Sequence, residues 1–163
     1  MAPEGEALQA LALALGRVPS GLFILTARQG ERETGMLASW VQQCSFDPPQ
    51  VSVAVRPDRA VAAWLTPGAA FTLNIIGDGQ SHFLSHFGKG FDLDQPAFAG
   101  LAVERPEGEG PVLTAALGHL LCRVAGRMSA GDHDLFVGTV VGGRLHQPDG
   151  RPWVHMRKNG LRY

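Results

Sequence analysis

The chain has 163 residues, 45% of them hydrophobic, and a formal net charge of -1 at pH 7. That length and apolar content suit a single domain, 1–163, with a full core, and exclude a disordered chain. Near-neutral charge without a basic stripe excludes nucleic acid and anionic membranes as expected partners.

Residues 4–16 carry Leu8, Leu11 and Leu15 at helical spacing with Gly16 near the end, which predicts a helix. Glu4 and Glu6 precede the apolar run 7–15 and Arg17 follows it, a pattern unlike a signal peptide. No stretch reaches the ~18 to 20 apolar residues that span a bilayer, so the expected location is the cytoplasm. Residues 22–27 form a β-rich apolar run closed by the turn 28–31, and 34–38 return as the second strand of a hairpin. After Pro48-Pro49, residues 51–55 (V-S-V-A-V) alternate as a strand. Asp58 is the expected N-cap of a short helix carrying Ala60, Ala63 and Trp64. A strand over 70–76 holds one polar residue, Asn74, and a short helix follows over 81–87. Rich in Gly, Pro and acidic residues, 88–111 reads as a long surface excursion with one small strand near 101–103. Residues 120–128 alternate as a half-buried strand, 135–145 form another, and 153–156 are expected to close the sheet. Short helices around dominant antiparallel strands predict a mainly β fold, a small barrel.

Within this frame the run 34–49, T-G-M-L-A-S-W-V-Q-Q-C-S-F-D-P-P, is the most informative stretch. Its small residues admit a ligand to the backbone, its serines suit an anionic group, and Asp47-Pro48-Pro49 makes a rigid turn. Such an inventory holds a flat cofactor, and the one it implies is a flavin. Nucleotide-loop readings fail, because Gly77-Asp78-Gly79 lacks the third glycine and no G-x-x-x-x-G-K-[ST] exists. No G-x-S-x-G elbow marks a serine hydrolase. His82 and His86 stand four apart without a following glutamate, so they read as a partly exposed helix face rather than metal ligands. Cys44 and Cys122 have neither C-x-x-C nor zinc spacing and are expected to be reduced, buried thiols. Gly131-Asp132-His133-Asp134 reads as a hairpin turn, which puts His133 at a tip where it can touch a transient ligand. Trp40 and Phe46 suit core packing and ligand stacking equally well.

Taken in order, these residues resemble the flavin reductase family with the FMN-binding split-barrel fold, an antiparallel Greek-key barrel with short peripheral helices. The likeness runs from Val18-Pro19-Ser20-Gly21 through Gly35 to Pro49, where the family has an S-x-D-P-P pattern. It continues in the Phe71 to Ile76 strand, in Phe87-Gly88, and in Gly131-Asp132-His133 with Val137-Gly138-Thr139-Val140. Within the family, the G-M-L-A-S-W-V run, F-D-P-P and the Arg162-Tyr163 terminus look most like the reductase module of cyanobacterial diflavin flavoproteins. The metallo-β-lactamase-like and flavodoxin-like domains that precede that module are not in this sequence. The expected electron acceptor is therefore a separate molecule, such as a monooxygenase.

The resemblance implies a flavin site built from Met36, Leu37, Ala38, Ser39 and Trp40, then Cys44, Ser45 and Phe46, bounded by Pro49. Asn74 and Ile75 would lie under or beside the flavin, with Phe87 and Lys89 approaching from the other side. Arg59, Lys89 and the serines are the candidates for its phosphate, and His133 for the nicotinamide face. Thr34-Gly35 replaces a frequent Asn-Gly turn and Gly88 an alanine. Trp40 stands where the family has a smaller or phenyl side chain, and is expected to narrow the flavin pocket or the nicotinamide approach. The implied activity is an NAD(P)H-dependent flavin reductase using FMN, with FAD as the neighbouring choice and NADH or NADPH as donor. No catalytic acid, base or metal is implied, and the expected assembly is a homodimer. The rival expectation is a flavin-binding carrier reduced by a protein partner.

Overall fold

The structure, a computed structural model, describes residues 1–162; Tyr163 of the Arg-Tyr terminus lies outside the described residues. Helix α1 (Gly5–Gly16) buries only Ala12 and Gly16, while Leu8, Leu11, Leu13 and Leu15 stay exposed. Strands β1 (Phe23–Gln29) and β2 (Arg32–Ala38) form the expected hairpin. Strand β3 (Val41–Phe46) pairs with β4 (Pro49–Val55). No strand was expected over 41–46, because the exposed Gln42, Gln43 and Cys44 break the apolar alternation that would announce one. A 3-10 turn (Ala60–Trp64) follows, preceded by Arg59 without a side-chain cap; Asp58 pairs instead with Arg56 at 3.0 Å. Then come β5 (Ala70–Ile75), α2 (Ser81–Phe87), the short β6 (Val103–Glu104) and β7 (Val112–Leu113), and the long hairpin of β8 (Gly118–Ala130) and β9 (His133–Leu145).

Seven strands form one antiparallel sheet in the order β2-β1-β5-β8-β9-β4-β3, with β6 and β7 paired apart from it. The sheet rolls up, because Leu25, Ala38, Val53, Phe71, Cys122 and Phe136, from six strands, meet in one buried cluster. That is the antiparallel barrel expected from the sequence. Its ends approach where β2 turns into β3: the Ala54 N–H of β4 donates to the Trp40 carbonyl at 3.0 Å. No ladder joins β2 to β4, so the barrel has a seam there.

β1 is buried on both faces. Leu25 and Ala27 point into the barrel, while Leu22 and Ile24 join Phe83, Phe87, Phe98 and Leu113 in a second core. This corrects the reading of 88–111 as a surface excursion. The segment buries Ala97 and Phe98, and its end lies along the outer face of β1 and β5. Thr26 Oγ1 donates to the Pro111 carbonyl at 2.5 Å and Thr72 Oγ1 to that of Gly110 at 3.0 Å. A Cβ on Gly110 would fall 2.4 Å from the Thr26 carbonyl, so glycine is what allows this approach. Bidentate pairs Arg105–Glu33 and Arg123–Glu109, closest at 2.6 and 2.5 Å, clamp the same segment from outside. Nor do residues 153–156 close the sheet as a strand. With Pro152 they cross the ends of β1 and β5 through the isolated bridges Ser20↔His155 and Gly77↔Pro152 and a bond from Trp153 N–H to the Ile76 carbonyl at 3.0 Å, because successive residues there meet different segments.

Asn74 sits at the centre of this arrangement with 0% exposure. Its Nδ2 donates to the Ile24 carbonyl at 3.1 Å, and its Oδ1 accepts from Leu113 N–H at 2.8 Å. Asn74→Ala leaves the buried Leu113 N–H unpartnered, at about 1 to 3 kcal/mol, and removes the side-chain bond to the Ile24 carbonyl. Urea unfolding of that variant is expected to show a loss of at least ~2 kcal/mol; an unchanged midpoint would show that the hub is dispensable.

Candidate functional site

The seam between β2 and β4 opens into a cavity of about 300 Å³. One wall is Met36, Leu37 and Ala38 at the end of β2 with Ser39 and Trp40 in the following corner; the other is Ala54, Arg56 and Arg59. β2 has a strand neighbour on one side only, so every second peptide group of its end faces away from β1 and can bond a ligand. Leu22 and Leu84 add apolar surface, Gly88 leaves room at the end of α2, and His133 and His155 close the mouth. A second cavity of about 180 Å³ shares Met36 and Arg59 with the first and is rimmed by Gly35, Lys89 and Gly90.

The lining of the larger cavity contains two arginines and two histidines and no carboxylate, a donor set for an anionic ligand. Its floor is apolar, and its volume is at the small end of the range for ligand pockets. At the mouth, the rings of Trp40 and His133 lie 4.8 Å apart, tilted by 52°. The His133 side chain is 11% exposed, and its Nδ1 donates to Asp132 Oδ1 at 2.7 Å. That bond holds the Asp132 carboxyl below its ordinary pKa and leaves Nε2 as the ring nitrogen available to a ligand. The guanidinium of Arg157 lies 5.0 Å from the Trp40 ring centre.

Of the residues expected in the site, Met36, Leu37, Ala38, Ser39, Trp40, Arg59 and His133 line the larger cavity, and Lys89 the smaller. The others are not brought there. Cys44, Ser45 and Phe46 lie beyond the point where β3 leaves the seam, and Phe46 is 91% exposed. Pro49 begins β4, five residues from Ala54, a distance of roughly 16 Å along a strand. The Asn74 side chain is engaged with the Gly110 to Leu113 strap. Ile75 pairs with Phe23 and Gly118, and Phe87 is buried in the second core. Thr34-Gly35, compared above with a turn, is part of β2, where a Cβ on Gly35 would meet Phe87 at 2.9 Å.

Six lining residues were missed: Leu22, Ala54, Arg56, Leu84, Gly88 and His155. Arg56 carried a signal, being one of two arginines three apart just after a strand. His155 carried none, because its segment reaches the cavity only through a bridge to Ser20. Of the pair His82 and His86, the second is bonded through Nε2 to the Ala97 carbonyl at 2.7 Å, and His82 is exposed.

The family model described as "Flavin reductase like domain" matches residues 15–161. Diflavin flavoprotein A 1 of Synechocystis sp. is 42% identical over 151 residues, which are 92% of this chain and 26% of that protein. The chain thus spans about a quarter of the length of such relatives. Among solved structures, the Streptomyces globisporus C-1027 NADH:FAD oxidoreductase SgcE6, in complex with NAD and FAD fragments, matches with a TM-score of 0.78 and 25% identity over 91% of this chain and 86% of that one. The styrene monooxygenase flavin reductase SMOB of Pseudomonas putida S12 gives 0.74 and 26%, over 88% and 90%.

Both cysteines are free, but only Cys122 is buried, which corrects the expectation for Cys44. Burial pushes the Cys122 thiol up to about 12, so almost none is thiolate at neutral pH. A maleimide or disulfide reagent at pH 8 is expected to modify Cys44 in the native protein and Cys122 only after unfolding. Rapid reaction of two thiols in the native state would contradict the burial of Cys122.

Proposed function

The chain belongs to the flavin reductase-like domain family, and on that premise we propose that it is an NAD(P)H-dependent flavin reductase with FMN as the preferred flavin. The observation that carries the reading is the pairing of the two cavities along β2. An apolar cavity edged by peptide groups suits a flat ring, and a small polar one, lined by Arg59 and Lys89 together with Asp58 and Asp92, adjoins it through Met36 and Arg59. A bound flavin would supply the redox chemistry, accepting hydride from nicotinamide C4 at N5.

The chain's own residues fit that group. Arg59 and Lys89 would hold its phosphate by charge-assisted hydrogen bonds. Peptide N–H groups between Met36 and Trp40 would face the ring edge on which negative charge develops. Leu22, Leu37 and Leu84 would exclude water, and His133, oriented by Asp132, would contact the nicotinamide. Such an arrangement binds and aligns two flat rings and needs no side-chain acid or base. FAD shares the ring and first phosphate and is the second candidate flavin.

The same reading extends to the whole protein. Residues 1–163 form a single domain, supported by two cores that share β1. The protein is a homodimer, supported by the exposed apolar side chains Leu8, Leu13, Phe46 and Val154. It is cytoplasmic, supported by two free cysteines, and reduced flavin or electrons go to a separate acceptor such as a monooxygenase. No helix among the described residues is long and apolar enough to cross a membrane.

An anaerobic visible titration with FMN, then NADH and NADPH, tests the reading. Flavin bands are expected to be retained and to bleach rapidly with at least one donor. Flavin that binds but stays oxidised under both would instead favour a carrier reduced by a protein partner. In stopped flow, His133→Ala is expected to slow reduction by about ten-fold or more, the contribution of one charged hydrogen bond, with flavin affinity unchanged. Reduction at the wild-type rate would remove His133 from the donor site.

A further inference from the structure

Two carboxylates flank His133 in the chain, and the structure places them oppositely. Asp132, bonded to the His133 ring, has its side chain 84% exposed, whereas that of Asp134 is 7% exposed. A bond to a solvated carboxylate holds a ring only loosely, because water competes for both partners. The Asp134 carboxylate is engaged at both oxygens: Oδ2 accepts from Arg127 Nη2, and Oδ1 from Ser129 Oγ at 3.2 Å. The Arg127 guanidinium is itself laid over the Phe136 ring, 5.2 Å from its centre.

The ladder explains why this clamp matters to His133. β9 lies between β8 and β4, and its pairing with β4 ends at Asp134, opposite Val55. His133 stands one residue further out and, among the described residues, pairs only with Ala130 of β8. A terminal pair supported from one side frays readily. The turn beyond it, Gly131-Asp132, begins with glycine at φ 66°, as a two-residue hairpin requires. Side chains alternate along a strand, so Asp134 faces the side of β9 that carries buried Phe136, and His133 the side that reaches the cavity mouth. With the strand end clamped on the first side, the imidazole on the second is held in place.

We propose that Asp134 is the positioning residue for His133: by bonding Arg127 and Ser129 of β8 it fixes the end of β9, and with it the reach of the His133 ring into the cavity mouth. The inference rests on the reductase reading, in which His133 contacts the nicotinamide, and adds the group that keeps that contact rigid. Asp132 sets which ring nitrogen is free, and Asp134 sets where the ring stands. A small displacement of an aligning group costs rate even where the ligand still binds.

The test is a double-mutant cycle between Asp134→Ala and His133→Ala, on protein loaded with FMN and reduced by NADH or NADPH in stopped flow. Asp134→Ala strands no buried charge, because the Arg127 side chain is 51% exposed and can turn to water. It is expected to slow reduction about five-fold, within the ~ten-fold assigned to His133→Ala, with FMN affinity unchanged. In the His133→Ala background it should slow reduction no further, since its effect runs through the imidazole. Asp134→Asn, which keeps the shape but loses the charged bond to Arg127, should fall between wild type and Asp134→Ala. In flavin-free protein, hydrogen exchange at the Ala130 and His133 amides should quicken in Asp134→Ala and change less in Asp132→Asn. Equal slowing in both backgrounds, or loss of FMN, overturns the proposal, since either marks Asp134 as a general support of the barrel. Wild-type reduction rates or unchanged exchange in Asp134→Ala overturn it as well. Wild-type protein reduced by neither donor overturns the reductase reading and this role with it, whereas the exchange measurement reads the clamp independently of that reading.

Discussion

The barrel is hydrogen-bonded from β2 round to β3 and left unladdered between β2 and β4, and the placement of every candidate ligand contact depends on that gap. A closed ladder would consume the outward peptide groups of Met36 to Ala38 and bring the strands to ~5 Å, leaving no space for a ring. The gap persists because the corner Ser39-Trp40 redirects the chain into β3, and a single Ala54–Trp40 backbone bond holds its end. Apolar burial inside the barrel keeps both walls in place, so the strand ends of β2 and β4 fix the frame on which the corner, loop and strap residues of the cavity are hung.

Rigidity at the seam has a cost elsewhere. Because β1 carries apolar residues on both faces, a second layer must cover Leu22 and Ile24, and α2 with the 88–113 segment provides it. Polar Thr26, Thr72 and Asn74 are buried beneath that layer. Each would be destabilising without a partner; together they convert the strap's own carbonyls and the Leu113 N–H into satisfied bonds. The same layer delivers Leu84, Gly88 and Lys89 to the two cavities. Support of the core and furnishing of the site are therefore one construction.

This explains which parts were legible in the sequence. Strands with clean alternation, such as 51–55 and 120–128, were readable because one face is wet and the other is core. Strand β3 was not, since its side chains from Gln42 to Cys44 are exposed and polar. The run Met36 to Trp40, which lines the cavity, stood out in the sequence because small residues beside a tryptophan leave the backbone open to approach. Asn74 misled for a physical reason. A lone amide in an apolar strand signals a buried polar demand, and sequence does not say whether a ligand or the chain itself meets it. His155 and Arg157 were invisible because their relation to the cavity is made by tertiary bridges across 135 or more residues, not by local pattern.

The cations around the seam are not equivalent, and their anchoring differs in kind. Arg59 immediately precedes a 3-10 turn and Lys89 follows α2, so each is carried by an element of the scaffold. His133 starts β9 at the tip of the long hairpin, braced by Asp132 beside it. Arg157 belongs to a strap with no secondary structure of its own, held against α1 and the start of β1. A resident ligand favours the first kind of anchoring, because its binding gains from groups that lose little freedom when it binds. Under the proposed function, Arg59 and Lys89 are anchored as groups that retain a flavin would be, and Trp40 stands beside His133 where the cavity meets the hairpin tip.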